Sequence, residues 1–367
     1  MRNLVESMRD AERHGGKPAL AQLAEALRLR LGRQKIGLGE YFDYGIWHRD
    51  ITPSMQDEFI GWRQSAALDQ SLNFQASRVL ANDKLCTYFV LLNLGFPIPA
   101  PMATFSRTGR RIASEPVLRT LDDVDQFLTR ETEPFYVKPI SAGYGRGVLG
   151  VTSRADGVMN LMDGRAMPIA EFKAPFKFLP YEGMLFQRPL KAHPSVAELT
   201  GTDAISCVRF ICVVTPSGPK IHTAFWKVVT GRNMLDNFSH GHFGNCLAAI
   251  DLERGNVSRA IAKLGPGGVV EHHPSTGRPL IGFPLPNWAE ARDLVLSASA
   301  HFPGLRLQNW DVALCPSGPV LVELNTESEL AIPQAISGSG LMDARLLGWL
   351  AEIHEGDRLR AAAIASR

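Results

Sequence analysis

The sequence has few cysteines and no long apolar run, and both features narrow the class of protein. Its five cysteines are odd in number, scattered over 367 residues and form no CxxC pair: Cys86, Cys207, Cys212, Cys246 and Cys315. This pattern argues against a disulfide framework or a structural zinc site and favours a reducing compartment. No stretch approaches the ~20 apolar residues that span a bilayer. We therefore expect a cytoplasmic protein with no membrane partner.

A large excess of one charge is also absent. The chain carries 39 Lys and Arg against 37 Asp and Glu, a formal net charge of +2. Composition therefore requires no basic face for nucleic acid, and we expect no nucleic-acid partner. The hydrophobic fraction of 45% and the charged fraction of 21% are typical of globular proteins.

The most informative stretch is glycine-rich and lies between two β-prone segments. Phe135-Tyr136-Val137-Lys138 leads into a loop with glycines at 143, 145 and 147, and an extended pattern resumes at Val148. This order predicts a hairpin whose tip can adopt positive φ and approach a ligand. Exposed N–H groups in such a loop suit phosphate oxygens, and Lys138 adds a point charge. A strand rather than a helix after the loop argues against a P-loop. A glycine-rich hairpin without a ligand is the alternative.

Residues 1 to about 80 are expected to be mainly helical. Leu20, Leu23, Leu27 and Leu31 recur at helical spacing. Aromatic residues crowd positions 41–47, and they are predicted to form a packing element because large aromatics mostly supply buried area. Asn82 is predicted to cap a helix that continues to about residue 92.

A second polar group lies on the last predicted hairpin. Asp311 begins one strand, whereas Glu323 and Asn325 share a face near the end of its partner. Carboxylate and amide oxygens on one face suit a hard cation such as Mg²⁺, although a solvated polar face is the alternative. Arg209 and Lys227, on two strands in between, would neutralise a transferring phosphoryl group.

These motifs, in this order, resemble the ATP-grasp superfamily, specifically its sugar-transfer-associated branch. They are Asn82-Asp83-Lys84, Val137-Lys138-Pro139 with 141–147, the Gln187 strand, Cys207-Val208-Arg209, Asp236-Asn237-Phe238-Ser239, Trp310-Asp311 and Glu323-Leu324-Asn325. The resemblance implies an α+β ATP-grasp fold with two α+β subdomains that clasp ATP between antiparallel sheets. The expected regions are an N-terminal helical region 1–80, a pre-grasp segment 81–133, a lid subdomain 134–190, a catalytic subdomain 191–345 and a C-terminal helix 346–367.

The resemblance also implies which residues bind ATP. Lys84 and Lys138 would contact the phosphates and the adenine side, and the loop would cover the β- and γ-phosphates. The side chain of Gln187 and the backbone near Arg188 and Leu190 would contact adenine, although many relatives carry Glu at the Gln187 position. Glu198 would bind the ribose. The loop residues expected to bind ATP are Ser141, Gly143, Gly145 and Gly147.

The same resemblance implies the metal and catalytic residues. Asp311, Glu323 and Asn325 would hold Mg²⁺, and Arg209 would stabilise an acyl phosphate. Lys227 is assigned charge alone. The residues expected beside the acceptor are Asn237, Ser239 and His240.

The function expected from these residues is an ATP- and Mg²⁺-dependent, ADP-forming carboxylate–amine ligase that acts on two small molecules in a biosynthetic pathway. Such a reaction depends mostly on positioning and charge stabilisation, so it needs no nucleophilic side chain. Two alternatives stay open, a small-molecule kinase on the same fold and a nucleotide-binding module without turnover. A homodimer is also possible.

Overall fold

The structure is a computed structural model that describes residues 4–141, 143, 145–178, 182–239, 244–327 and 330–365. Helices dominate its first hundred residues and its C-terminal end, and two β-sheets lie between. The helices of the described residues are α1 Leu4–Arg13, α2 Ala19–Leu31, α3 Leu38–Asp43, α4 Pro53–Gln56, α5 Trp62–Leu72, α6 Val79–Asn82, α7 Lys84–Asn93, α8 Leu121–Arg130, α9 Ile169–Phe178, α10 Pro194–Thr200, α11 Trp288–Ser299, α12 Ala331–Ser337 and α13 Ala344–Ala365, with a 3₁₀ turn at Gln75–Ser77.

The first sheet has seven strands in the order β2-β1-β7-β3-β4-β5-β6. All its pairs are antiparallel except β1 and β2, which run parallel, so the expected antiparallel sheet is mixed at this one edge. Its strands are β1 Pro101–Phe105, β2 Val117–Leu118, β3 Phe135–Pro139, β4 Leu149–Ala155, β5 Val158–Leu161, β6 Ala166–Pro168 and β7 Met184–Gln187. The predicted glycine hairpin is confirmed, because β3 pairs with β4 across the glycine loop.

The second sheet has six antiparallel strands in the order β11-β10-β9-β8-β12-β13. Its strands are β8 Cys207–Thr215, β9 Gly218–Val228, β10 Cys246–Ile250, β11 Val257–Ile261, β12 Leu307–Cys315 and β13 Gly318–Asn325. The predicted last hairpin is confirmed, and Asp311 lies directly opposite Glu323.

The second sheet is buried on both faces, which explains its long apolar strands. Along β8, Val208 and Phe210 pack into one core with Trp226 and Trp310, whereas Ile211 packs into a different core on the other face. Every residue of β12 is buried. Polar residues inside such strands need partners, because an unpaired buried charge is costly. This requirement determines where the charged residues of β8, β9 and β12 meet.

The helical start of the chain packs as predicted around its aromatic residues. Tyr41, Phe42, Tyr44 and Trp47 are buried in one core that also receives residues of α12. The predicted cap at Asn82 is wrong, because Asn82 ends α6 and Asp83 caps α7 by accepting bonds from two backbone N–H groups. Asp83 immediately precedes the first residue of α7, which is the position from which a side chain reaches those donors.

We searched the described residues for a helix long and apolar enough to cross a bilayer, and none qualifies.

Candidate functional site

A buried network of charged residues joins β8, β9 and β12. Arg209 donates two hydrogen bonds to Asp311, with Nε–Oδ1 at 2.8 Å and Nη2–Oδ2 at 2.6 Å. Lys227 lies between two carboxylates, 3.2 Å from Asp311 Oδ2 and 3.0 Å from Asp236 Oδ1. The other oxygen of Asp236 accepts from the backbone N–H of Cys207 at 2.7 Å. Two cations and two acids are therefore locked together in the sheet.

The network keeps Arg209, Lys227 and Asp311 charged despite burial. Burial alone favours the neutral form of each group. The ion pairs of Asp311 with Arg209 and Lys227 favour the charged forms instead. The carboxylate of Asp311 raises the pKa of Arg209, and the two neighbouring acids raise the pKa of Lys227. Arg209 and Lys227 in turn lower the pKa of Asp311 to about 2. The network thus holds two cations fixed in position, each with a carboxylate partner.

Two further lysines approach the same place from the other side. Lys84, at the start of α7, lies 3.1 Å from Oε1 of Glu323. Lys138, at the end of β3, donates to the hydroxyl of Tyr88 at 3.1 Å, and that hydroxyl donates to the carbonyl of Val322 at 2.6 Å. Burial lowers the pKa of Lys138 to about 8, with Glu323 acting in the opposite direction. Lys138 is therefore close to its titration point near neutral pH.

The glycine hairpin lies against this cluster. A Cβ built on Gly145, whose φ is +68°, would meet Nδ2 of Asn237 at 2.2 Å. Asn237 follows Asp236, the partner of Lys227, so the loop touches the segment that carries one end of the network. At the base of the hairpin, the carbonyl of Ile140 accepts from the backbone N–H of Lys84 at 3.1 Å. The predicted glycine loop and the predicted metal hairpin thus belong to one site.

The candidate metal donors on β13 are one carboxylate, that of Glu323, and one amide, that of Asn325. Glu323 is half-buried, and Asn325 lies two residues further on the same face of β13. Within the described ranges, no three His, Cys, Asp or Glu side chains are grouped so that they could hold an ion. A cation here therefore needs the Asn325 amide, together with phosphate oxygens and water, as Mg²⁺ commonly does.

Two buried polar atoms without hydrogen-bond partners support Asn325 as a metal ligand. Nδ2 of Asn325 and Oδ1 of Asn309 are buried without a hydrogen-bond partner among the described residues, and the two residues lie opposite each other on β13 and β12. If Oδ1 of Asn325 turns to a cation, its Nδ2 can donate to Asn309. The residues present therefore fit Mg²⁺, while most of the acceptor capacity of Asp311 is used by Arg209 and Lys227.

The predicted adenine-side residues lie on and after β7. Gln187 is buried, and its Nε2 donates to the carbonyl of Pro99 at 3.3 Å. Arg188 pairs with Glu131 through two bonds of 2.9 and 3.1 Å. Leu190 packs against the small apolar cluster that includes Cys207. The side chain of Arg188 is therefore engaged by Glu131, and its backbone N–H donates to the carbonyl of Ala100 at 2.9 Å, so neither group is open to a base.

The remaining predicted residues are less closely joined to the network. Ser141, Gly143 and Gly147 lie exposed in the glycine loop, and Ser239 is exposed with a φ of +43°. Glu198 pairs with Arg278 at the surface of α10, on a separate cleft of about 390 Å³. His240 lies outside the described residues.

Sequence reasoning missed several residues that shape the site. Asp236 was seen only as part of a motif, although a buried lysine at 227 requires a carboxylate partner. Asn245, fully buried, holds the 230–237 segment through bonds of 2.8 Å to the carbonyls of Leu235 and Asn237. Tyr88 lies in an apolar helical stretch, and its hydroxyl accepts from Lys138 at 3.1 Å. A buried polar side chain within an apolar run is the signal that could have identified each of them.

Comparisons with known proteins agree with the resemblance drawn from the motifs. A family model described as sugar-transfer associated ATP-grasp matches residues 63–347. A search of curated proteins gave no significant match.

Three solved structures illustrate how distant the structural similarities are. The D-alanine-D-alanine ligase from Coxiella burnetii is 12% identical over 82% of this chain and 69% of that chain, with a TM-score of 0.41. The D-alanine–D-alanine ligase from Bacillus anthracis is 15% identical over 79% and 72%, with a TM-score of 0.39. The VanG D-Ala:D-Ser ligase from Enterococcus faecalis is 13% identical over 72% of this chain, with a TM-score of 0.39, and the match spans 59% of the length of that ligase. Because the family model covers most of the sequence, the chain belongs to the sugar-transfer associated ATP-grasp family.

Proposed function

We propose that the protein is an ATP- and Mg²⁺-dependent ligase that activates a small-molecule carboxylate as an acyl phosphate and joins it to an amine. The observation that carries this proposal is the convergence of Lys84, Lys138, Arg209 and Lys227 beside the glycine hairpin. These four cations exceed by one the acids that they contact, Asp236, Asp311 and Glu323. A polyphosphate is the class of ligand that such a surplus and such a loop suit best.

The proposed reaction has two steps. A carboxylate oxygen attacks the γ-phosphorus as the bond to ADP breaks, which gives the acyl phosphate and ADP. The amine nitrogen then attacks the acyl carbon and loses a proton, phosphate leaves, and an amide remains. Charge moves over phosphate oxygens in both steps, so fixed cations that need no rearrangement stabilise the transition states.

The contacts of each cation suggest its role in the proposed reaction. Arg209 and Lys227 are held rigidly by Asp311, which makes Asp311 a positioning residue in addition to a candidate ligand. Lys138 is the cation with the weakest counterion, because its bonded partner is the Tyr88 hydroxyl. It therefore gains most from a phosphate oxygen. Asn237, beside the glycine loop, is the residue that we propose contacts the acceptor.

Glu323 and Asn325, with Asp311 as a third donor, are the residues proposed to hold Mg²⁺. When bound, the ion supplies charge neutralisation between the β- and γ-phosphates. The unpartnered Nδ2 of Asn325 and Oδ1 of Asn309 support this set, because the Asn325 amide can donate to Asn309 once its own oxygen binds the ion.

The test is to measure ADP release from Mg-ATP with a panel of carboxylates and amines and to weigh the products. The expected product has the mass of acid plus amine less water. A phosphorylated product that forms without an amine would instead indicate a kinase. Nucleotide binding with no ADP release across the panel would indicate a binding module.

A further inference from the structure

Helix α2 turns its leucines away from the protein. The residues that it buries against α1 and α3 are Gln22, Ala26 and Leu29. Leu20 is 83% exposed and Leu31 is 76% exposed, with Leu23 and Leu27 exposed between them. At about 3.6 residues per turn, this row lies on the side opposite the buried residues. The four leucines, here called the leucine ridge, form a convex apolar strip about 20 Å long.

Positive charge lies beside the leucine ridge. Arg28 and Arg30 lie on either side of it along α2, and the one acid of the helix, Glu25, is engaged by Lys17 and Tyr41. Arg30 also lines a cleft of about 480 Å³ that contains Lys35, Trp62 and Arg63. The lining residues further include Gly37, Glu40 and Gln64.

The cations of this cleft have little local compensation. Among the described residues, no carboxylate pairs with Arg30, Lys35 or Arg63. The one acid that lines the cleft, Glu40, accepts bonds from the backbone N–H groups of Gly37 and Trp62 and from the hydroxyl of Tyr44. The surface therefore combines protruding leucines, cations without carboxylate partners and the indole of Trp62, which is 55% exposed and lies 5.6 Å from the guanidinium carbon of Arg63.

We propose that this face docks the protein on a membrane surface that contains anionic lipids. Leucines on the lipid side, basic residues at their flanks and a tryptophan at the same level are what an interfacial helix presents to a bilayer. A convex ridge suits acyl chains, which deform around it, whereas a rigid protein partner would need a matching groove. This departs from the sequence-based expectation of no membrane partner, and it concerns docking on one leaflet, not spanning.

Charge also disfavours a second copy of the chain as the occupant. A two-fold contact places the same patch on both sides of the interface. Arg28 pairs with Asp57 at 3.7 Å, but Arg30 beside the ridge has no carboxylate partner among the described residues, so such a contact would bring the Arg30 side chains of two copies together without an acid between them. An anionic surface instead satisfies both the leucines and the arginines.

The test is co-sedimentation of the full chain with vesicles of phosphatidylcholine alone and of phosphatidylcholine mixed with phosphatidylglycerol. We expect binding to the mixed vesicles, weaker binding as salt is raised, and little binding to neutral vesicles. The triple variant Leu20→Ser, Leu27→Ser and Leu31→Ser should lower partitioning at least about tenfold. Arg30→Gln with Arg63→Gln should lower it about fivefold for each charge.

The matched control is Leu94→Ser with Leu359→Ser, which removes exposed leucines from α7 and α13 regions and should leave binding unchanged. Circular dichroism on every variant would show that the fold is retained. The proposal is overturned if neither vesicle binds the wild type, or if the leucine triple binds as well as the wild type. A wild-type dimer in sedimentation that the leucine triple disperses, without vesicle binding, would assign the ridge to a second copy.

Discussion

The two sheets that meet at the site differ in how they present charge. The six-stranded sheet contributes Arg209, Lys227 and Asp311 from buried strands, and each charge is neutralised by its neighbours. The seven-stranded sheet contributes a glycine loop whose described residues are mostly exposed, with Lys138 at its base. One wall of the site, from the six-stranded sheet, therefore consists of charged side chains fixed in position. The other wall, from the seven-stranded sheet, consists of loop backbone that can contact a ligand.

This difference indicates that the two sheets have different roles in the proposed reaction. Fixed charges stabilise a transition state because they need no reorganisation when the reaction occurs. A glycine loop contributes N–H groups only when its backbone approaches the ligand. Substitutions in the first wall should therefore reduce both stability and rate, whereas substitutions in the second should affect mainly ligand binding.

The largest effect is expected from Asp311→Asn. The change leaves the buried Arg209 without its carboxylate partner and Lys227 with Asp236 alone, which costs about 3–5 kcal/mol of unfolding free energy. Urea denaturation measures that loss, and ADP release should fall by orders of magnitude. Glu355→Gln, which breaks an exposed pair with Arg358, is the control and should change stability by at most about 1 kcal/mol. Equal losses in the two variants would mean that the network contributes no special stability.

A smaller but still large effect is expected from Glu323→Gln. This variant removes the carboxylate proposed to bind Mg²⁺ while preserving shape, so kcat should fall at least about a hundredfold. Titration of nucleotide binding with Mg²⁺ should also show a weaker dependence on the ion. Because Glu323 is only half-buried, the loss of stability should be below that of Asp311→Asn. An unaltered Mg²⁺ titration would contradict its assignment as a ligand.

Gly145→Ala tests the other wall. The new Cβ would meet Asn237, and the positive φ adds strain of about 1 kcal/mol. We expect an approximately tenfold rise in KM for ATP, the equivalent of about 1.4 kcal/mol, with a modest loss of stability. Gly157→Ala is the matched control, since its φ of +77° carries the same strain but no atom lies near its Cβ. A similar KM in both variants would separate the glycine loop from ATP binding.

The smallest effect is the pH dependence that Lys138 should cause. Its pKa is lowered from 10.5 to about 8 in the folded chain, so the unfolded chain binds this proton more tightly. The contribution of Lys138 to unfolding free energy should therefore rise between pH 8 and 10.5 and be constant below pH 8. Nucleotide affinity should instead fall above pH 8, by up to about tenfold per unit.

Calorimetric titration of ATP at several pH values checks the affinity, with Lys138→Met as the comparison. This variant should bind more weakly and lose that part of the pH dependence. If the wild type and Lys138→Met respond to pH alike, another group controls binding.

Much of the site could be predicted from local patterns in the sequence. The glycine hairpin and the final hairpin follow from β-prone runs separated by turn residues, and the short turn at 316–317 brings Asp311 opposite Glu323. The position of the Glu198 side chain could not be predicted in the same way. Helix α10 follows β7 and directs this carboxylate to Arg278. His240 and the other undescribed residues of its loop leave that part of the acceptor prediction untested.

By itself the sequence determined the elements, their alternation and the order of the motifs, because these depend on neighbours a few residues apart. Only the tertiary structure decided which acid neutralises which cation. Arg209 and Asp311 are 102 positions apart and meet because β8 and β12 are adjacent in the sheet. It also decided which face of α2 is buried, since a periodic row of leucines predicts a helix but packing against α1 and α3 selects the side that turns inward.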